Sequence, residues 1–346
     1  MANVLITGGA GFIGTNLTQH LVGKGNHVTV FDNLSRHGTD HNLRELRSRL
    51  GDKFLFIQGD VRNYEALAEA ARGQDLIFHL AAQVAVTTSV SDPRTDFEIN
   101  ALGTFNTLEA ARLNGKNPIV IYASTNKVYG GMDDEPLTQT AEGYQFGRLK
   151  RGVPESYPLD FHSPYGCSKG SGDQYVHDYA RIYGLRTVVF RQSCIYGPHQ
   201  FGIEDQGWLA HFVIQAAIGN PINIYGDGHQ VRDVLYVDDL VRAFESAVEH
   251  IDKTSGQVYN IGGGPDYTLS VWTQVRPILE ELVGHRVPVT FGDWRPGDQR
   301  IYVSDIQKAA DEFGWRPVVP PAEGIKRLWE WVKTSQALIE TVRSES

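Results

Sequence analysis

Val4-Leu5-Ile6-Thr7-Gly8-Gly9-Ala10-Gly11-Phe12-Ile13-Gly14 stands near the start of this chain of 346 residues and decides its fold. A β-branched, apolar run predicts a strand, a glycine-rich turn follows at once, and Leu17 and Leu21 continue at helical spacing. Gly8 or Gly9 allows the tight turn, Gly11 lets the backbone approach a pyrophosphate, and Gly14 lets the helix pack closely on the strand. The start of that helix offers free amides to phosphate oxygens. A glycine turn that merely joined strand to helix would need no acid at the end of the next strand, yet Asp32 stands there. It lies near the offset of about 20 residues at which a carboxylate accepts hydrogen bonds from a ribose 2'-hydroxyl and repels a 2'-phosphate. Strand, loop, helix and acid together predict a dinucleotide fold that takes NAD rather than NADP, with Arg36 the neighbour able to cradle a 2'-phosphate instead.

Working outward, apolar runs recur at 4–7, 28–31, 54–57, 76–80, 119–123 and 187–190, with helix-like stretches between most of them. They are continuously apolar rather than alternating, as expected of strands covered by helices on both faces. The pattern predicts an α/β fold: a Rossmann-type, doubly wound parallel sheet whose strand-end loops gather on one rim, with a smaller C-terminal lobe. We place the NAD-binding domain at 1–190 and the substrate-binding lobe at 191–346, interleaved, with segments 234–237 and 257–261 returning to the first sheet. The lobe is announced by turn signals at Tyr196-Gly197-Pro198, Gly226-Asp227-Gly228 and Gly262-Gly263-Gly264-Pro265.

Hydrophobic residues at 41% and charged residues at 21% are ordinary for a globular enzyme. A net charge of -9 argues against a nucleic-acid partner. Cys167 and Cys194 are too few for a disulfide framework or a four-ligand zinc site, so both are expected to be packing residues and no metal is expected. No charged leader precedes the first strand and no apolar run is long enough to span a bilayer, which predicts a cytoplasmic protein without membrane contact.

Tyr165-Gly166-Cys167-Ser168-Lys169 places a phenol and an ammonium at i and i+4, on one face of a helix. Lowering a tyrosine pKa from about 10 by about 3 units requires about 4 kcal/mol of preference for phenolate, which a lysine and an oxidised nicotinamide could supply together. Thr125 follows the run 119–123 on the functional rim, where its hydroxyl can bond the oxygen being oxidised; Ser124 competes for that role. Alone, Tyr-x-x-x-Lys is commonplace on amphipathic helices. Its occurrence beside the glycine loop is what makes Thr125, Tyr165 and Lys169 a catalytic set.

With these motifs the chain resembles the extended short-chain dehydrogenase/reductase family over nearly its whole length. The matching stretches include Asp32-Asn33-Leu34, Gly59-Asp60-Val61, His79-Leu80-Ala81-Ala82-Gln83 and the region from Ser124 to Gly130. The resemblance implies NAD contacts from Gly8, Gly11, Phe12, Ile13 and Gly14, and from Asp32, Asn33, Ser35 and Arg36. It implies adenine contacts from Asp60 and Val61, a lining of Leu80, Ala81, Ala82 and Gln83, and Asn100 behind the nicotinamide. Ser124, Tyr165 and Lys169 complete that set. Family dehydratases usually carry Asp-Glu after the catalytic Thr; here Asn126 and Lys127 stand there, and neither can act as that acid.

More closely, residues 124–130, 159–170, 205–208 and 230–233 resemble the CDP-paratose (CDP-tyvelose) 2-epimerase subgroup. That implies inversion at C2 of a CDP-hexose, CDP-paratose/CDP-tyvelose or CDP-glucose/CDP-mannose, of the kind used for lipopolysaccharide O-antigen. Its sugar lacks a C3 hydroxyl, so a ketone at C4 would acidify C3 and leave C2 untouched; inversion most simply needs oxidation at C2 itself. The substrate contacts expected are Thr125, Asn126, His162, Gln206, Trp208 and Arg232, with Arg295, Asp298 and Arg300 from the Arg-x-Gly-Asp region. Ser193-Cys194-Ile195 replaces the family's phosphate-binding Asn, and the insertion 131–158 receives no role. The resemblance also implies a homodimer or homotetramer. The alternatives are a UDP-hexose 4-epimerase using the same three residues and a non-catalytic NAD-sensing module; modules of that kind tend to lose the Tyr and Lys, and both stand here.

Overall fold

The structure, a computed structural model, describes residues 1–295 and 298–344. Seven strands form one sheet: β1 (Asn3–Thr7), β2 (His27–Asp32), β3 (Phe54–Gln58), β4 (Leu76–His79), β5 (Ile119–Thr125), β6 (Arg186–Gln192) and β7 (Gln257–Ile261). Their order is β7-β6-β5-β4-β1-β2-β3, and each neighbouring pair is parallel. The order reverses between β1 and β4, so the crevice of a doubly wound sheet opens above their C-terminal ends. The fold is the Rossmann type expected. Helices cover both faces, which is why the central strands have no polar side: Val4, Ile6, Phe78 and Ile121 pack into one core and Leu5, Ile77, Val120 and Val189 into the other.

The expectation for 234–237 fails. The strand Val231–Tyr236 pairs with Cys194–Tyr196, Thr268–Ser270 and Ile301–Tyr302 in a separate small sheet. The same chain then returns to the first layer through the helix Val237–Glu249, whose Leu240, Val241, Phe244 and Ala247 enter the β1 core, and through β7 at the sheet edge. Periodicity located an apolar strand here but could not say which sheet it joins. Ile306, Ala309, Phe313 and Trp315 also return to that core. The insertion is a docked piece: a hairpin of Leu137–Gln139 and Tyr144–Phe146 whose Tyr144 and Phe146 share a core with Val231 and Tyr302. Among the described residues no helix is long and apolar enough to cross a membrane.

Candidate active site between the sheet and the second lobe

The glycine loop has the geometry its sequence requires. Gly8 is left-handed (φ +70°), and a Cβ there would lie 2.7 Å from Ala81 N. A Cβ on Gly14 would lie 2.3 Å from Gly8 O, so only glycine lets the helix Phe12–Gly23 approach the loop. That helix has Gly11 at its N-cap and no side-chain cap, leaving its first turn available to an anion. Asp32 is buried; it accepts from Ala10 N at 3.0 Å and Leu34 N at 2.9 Å, and burial raises its pKa despite these bonds. Asn33 Nδ2 donates to Asp60 Oδ2 at 2.9 Å, and the Arg62 guanidinium beside Asp60 holds that carboxyl down at about 2.

One cleft is lined by Gly8, Gly11, Phe12, Ile13 and Gly14, by Asp32, Asn33, Ser35 and Arg36, and by Asp60, Val61, Leu80, Ala81 and Ala82. It runs on to Ser124, Thr125, Tyr165 and Lys169. The glycine loop and the Ser124–Lys169 stretch, more than a hundred residues apart in sequence, therefore share one groove. Arg36 spans it and donates to Gln206 Oε1 at 2.6 Å, which ties β2 to the second lobe. Gln192, His199 and Phe201 line the same cleft and were not singled out from the sequence, beside Ser193 of the stretch that replaces the family's Asn. Only tertiary packing carries them there.

The helix Ser163–Tyr183 starts on Pro164 and stops at the left-handed Gly184. Tyr165 sits in its first turn and Lys169 one turn later, both buried. Lys169 Nζ donates to Ala123 O at 2.6 Å and lies 4.3 Å from the Tyr122 ring centre. Burial pulls Lys169 down to about 7, with Asp173 and Asp96 pulling the other way. Burial pushes Tyr165 up to about 12, with the nearby Thr125 hydroxyl acting the other way. Among the protein's own groups, desolvation outweighs the contributions that favour phenolate. The Ser124 hydroxyl donates to Asp173 Oδ2 at 2.6 Å, so Thr125 is the hydroxyl turned to the phenol. Arg191 grips the same buried Asp173 through two 2.9 Å bonds.

Several expected contacts lie elsewhere. Asn100 sits on the π-helical turn Glu98–Leu102 and is outside the cleft lining. Its Oδ1 accepts from Gln83 N at 3.0 Å, and its Nδ2 donates to Gln83 O at 3.0 Å and to Ser168 Oγ at 3.2 Å. Asn100 thus clamps the loop after β4 to the helix Ser163–Tyr183. Gln83 itself turns its side chain to Ala85 O. His162 is exposed and paired with Asp160 at 2.8 Å. Trp208 donates to Cys194 Sγ at 3.4 Å and packs on Phe212, inside the second lobe. Cys167 is exposed, so it is no packing residue.

On the second-lobe side Arg232 donates to Gln299 O at 2.6 Å. Asn126 is buried and receives the Thr125 hydroxyl at 3.4 Å. Arg295 is paired with Asp205 at 3.0 Å and lies 3.7 Å from the Tyr225 ring centre. Arg300 lies 5.6 Å from the ring centres of Tyr144 and Trp294, on an outer pocket it shares with Asp298. Of the Arg-x-Gly-Asp pattern, Pro296 and Gly297 lie outside the described residues.

Residues 4–262 match the model of the NAD dependent epimerase/dehydratase family. The chain belongs to this family. A CDP-paratose 2-epimerase of Salmonella typhi is 43% identical over 338 residues, 96% of this chain and 99% of that protein. Among solved structures, a dTDP-glucose 4,6-dehydratase of Streptomyces venezuelae with NAD bound is 30% identical, with a TM-score of 0.84 over 98% of this chain and 99% of that one. A UDP-glucose 4-epimerase of Thermotoga maritima with UDP-glucose is 32% identical, with a TM-score of 0.81 over 96% and 99%. The cofactor of this family member is NAD, and the open helix start and Asp32 at the β2 end fit it. Of the family's two activities, dehydration calls for the carboxyl pair that Asn126 and Lys127 replace, and the chain is an NAD-dependent epimerase, an isomerase.

Proposed function

We propose that this enzyme inverts C2 of a CDP-linked hexose through a transient 2-keto sugar. The observation that carries the reading is the 43% identity to a CDP-paratose 2-epimerase across 96% of the chain. Relatives named for 4-epimerase and dehydratase activity reach 32% and 33%.

Tyr165 takes the C2 hydroxyl proton while Thr125 holds that oxygen, and the C2 hydride leaves the sugar as the C=O bond forms. NAD, when bound, supplies the reversible hydride acceptance. Lys169, braced on Ala123 O, stabilises negative charge on the phenol. Return of hydride to the opposite face of the ketone, with the proton given back by Tyr165, yields the epimer with no net redox change. Arg232 and Arg295 hold the diphosphate, and Asp298 accepts from ribose hydroxyls. Their sites on the second lobe leave the sugar free to turn between the two transfers.

The reading includes a homo-oligomer. Phe97, Phe105, Tyr175, Ile182 and Tyr183 are large exposed hydrophobics on neighbouring helices, with Phe105 and Tyr175 rings 6.1 Å apart. Such a face is the kind a second copy covers.

The test is NMR of the products from CDP-paratose, CDP-glucose and UDP-galactose. Inversion at C2 of a CDP-hexose is expected; conversion of UDP-galactose alone, at C4, sinks the proposal and leaves the 4-epimerase. Absence of any turnover with NAD retained would favour an NAD-sensing module.

A further inference from the structure

Lys127 and Arg232 meet on Gln299, on the second-lobe side of the turn that follows Thr125, and among the described residues neither has a counter-ion. Lys127 leaves the 3-10 turn Asn126–Tyr129 that follows β5, and its backbone N–H donates to the Thr125 hydroxyl at 3.3 Å. Its side chain reaches toward the second lobe, where Nζ donates to Gln299 Oε1 at 3.4 Å. Arg232 donates to Gln299 O at 2.6 Å and Val231 O at 2.9 Å. Gln299 is buried and fixed in turn, donating from Nε2 to Gly130 O at 2.6 Å.

One glutamine thus braces two cations. Among the described residues neither forms an ion pair. Lys127 has one long hydrogen bond for three N–H donors. Burial and Arg232 push it down to about 8, while Asp298 and Cys194 favour its charged form. Two half-buried like charges held together are costly unless an anion completes them.

We propose that Lys127 is the second arm of a seat for the sugar-side phosphate of a nucleoside diphosphate sugar, and that its closeness to Thr125 selects C2 as the reacting carbon. The inference rests on the reading above that the substrate is a nucleotide-linked sugar. The phosphate is joined through oxygen to C1; C2 adjoins C1, whereas C4 lies across the ring. With the proton acceptor fixed at Tyr165 and Thr125, presenting C2 draws the phosphate toward Thr125 by about the width of the sugar ring. A cation two residues beyond Thr125 meets it there. A carboxylate at the same position would repel it.

The experiment titrates the NAD-loaded enzyme with CDP and with CMP, which lacks the distal phosphate, by calorimetry, alongside UDP and UMP. Lys127→Met is expected to weaken CDP binding about tenfold or more and to leave CMP within about twofold, since one charge-assisted hydrogen bond is lost. Lys127→Arg restores most of the loss. Wild-type affinity for CDP falls as pH rises through about 8, where the ammonium loses its proton, and the fall is absent in Lys127→Arg. NAD absorbance retained on both variants shows that they fold. Equal effects on CDP and CMP, or none on either, overturn the seat. So does a wild type that prefers neither diphosphate over its monophosphate. If UDP binds in place of CDP, the cytidine reading fails while the UDP and UMP pair still decides the role of Lys127. At saturating substrate, C2 turnover in Lys127→Met is expected to fall at least about tenfold; a variant that loses affinity but keeps that turnover overturns the selection of C2.

Discussion

On the cofactor wall of the cleft, polar groups are already held by backbone or by one another: Asp32 by two amides, Lys169 by Ala123 O, Ser124 and Arg191 by Asp173. On the second-lobe side, beyond Thr125, Lys127 and Arg232 share Gln299, and among the described residues neither forms an ion pair. The first wall is preorganised for a cofactor that stays through the cycle. The second, on the proposal above, is completed by the phosphate of a substrate that comes and goes. A site that oxidises and re-reduces one carbon needs both: a rigid hydride and proton geometry, and an anchor that tolerates a turning sugar.

The contrast can be broken most sharply at its centre. Tyr165→Phe removes the proton acceptor and is expected to lower turnover by about 10²- to 10⁴-fold with NAD retained, measured by product NMR; unchanged turnover would remove the tyrosine from the mechanism. Next in size is Asp173→Asn. It strips the partner from Arg191, whose side chain is 4% exposed against 0% for Asp173. A loss of about 3–5 kcal/mol is expected in urea unfolding, because an unpaired buried charge remains.

A paired measurement separates the walls. Gly14→Ala forces a methyl to within 2.3 Å of Gly8 O, and should cost about 1–3 kcal/mol and release NAD in gel filtration. Gln299→Ala removes the side-chain brace on Lys127 while Arg232 keeps its bond to the backbone carbonyl, and should raise KM several-fold with NAD retained; NAD loss in that variant would show that the two sides are not independent.

The smallest effect is in acid. His79 is buried among Thr7, Thr104 and Thr107 and held down at about 3. Between its unfolded value near 6.5 and that folded value the unfolded chain binds the extra proton, so this group's contribution to stability falls as pH drops below 6.5. It should cost about 2 kcal/mol by pH 5, and His79→Gln should flatten the slope of unfolding free energy over that window.

Much of the cofactor wall was legible because its signals are local. Gly8, Gly11 and Gly14 and the acid at the end of β2 each follow from what one turn or one strand end must do. Tyr165 and Lys169 follow from one helical turn. For His162 and Trp208, adjacency to a motif does not say which way a side chain turns: one pairs with Asp160 in solvent, the other with Cys194 in the lobe. Asn100 was located but its role was not, since the π-helical turn that aims it at Gln83 and Ser168 leaves no periodic trace.

By itself the sequence determined the parallel sheet, the NAD loop and the Thr125, Tyr165, Lys169 set, because apolar runs, turn glycines and i, i+4 pairs act over a few residues. The tertiary structure alone decided that 231–236 builds the second lobe while 257–261 closes the first sheet. It alone placed Gln299 between Lys127 and Arg232. Those contacts join residues about forty or more positions apart, and shape and charge matching between distant segments, not any local preference, selects them.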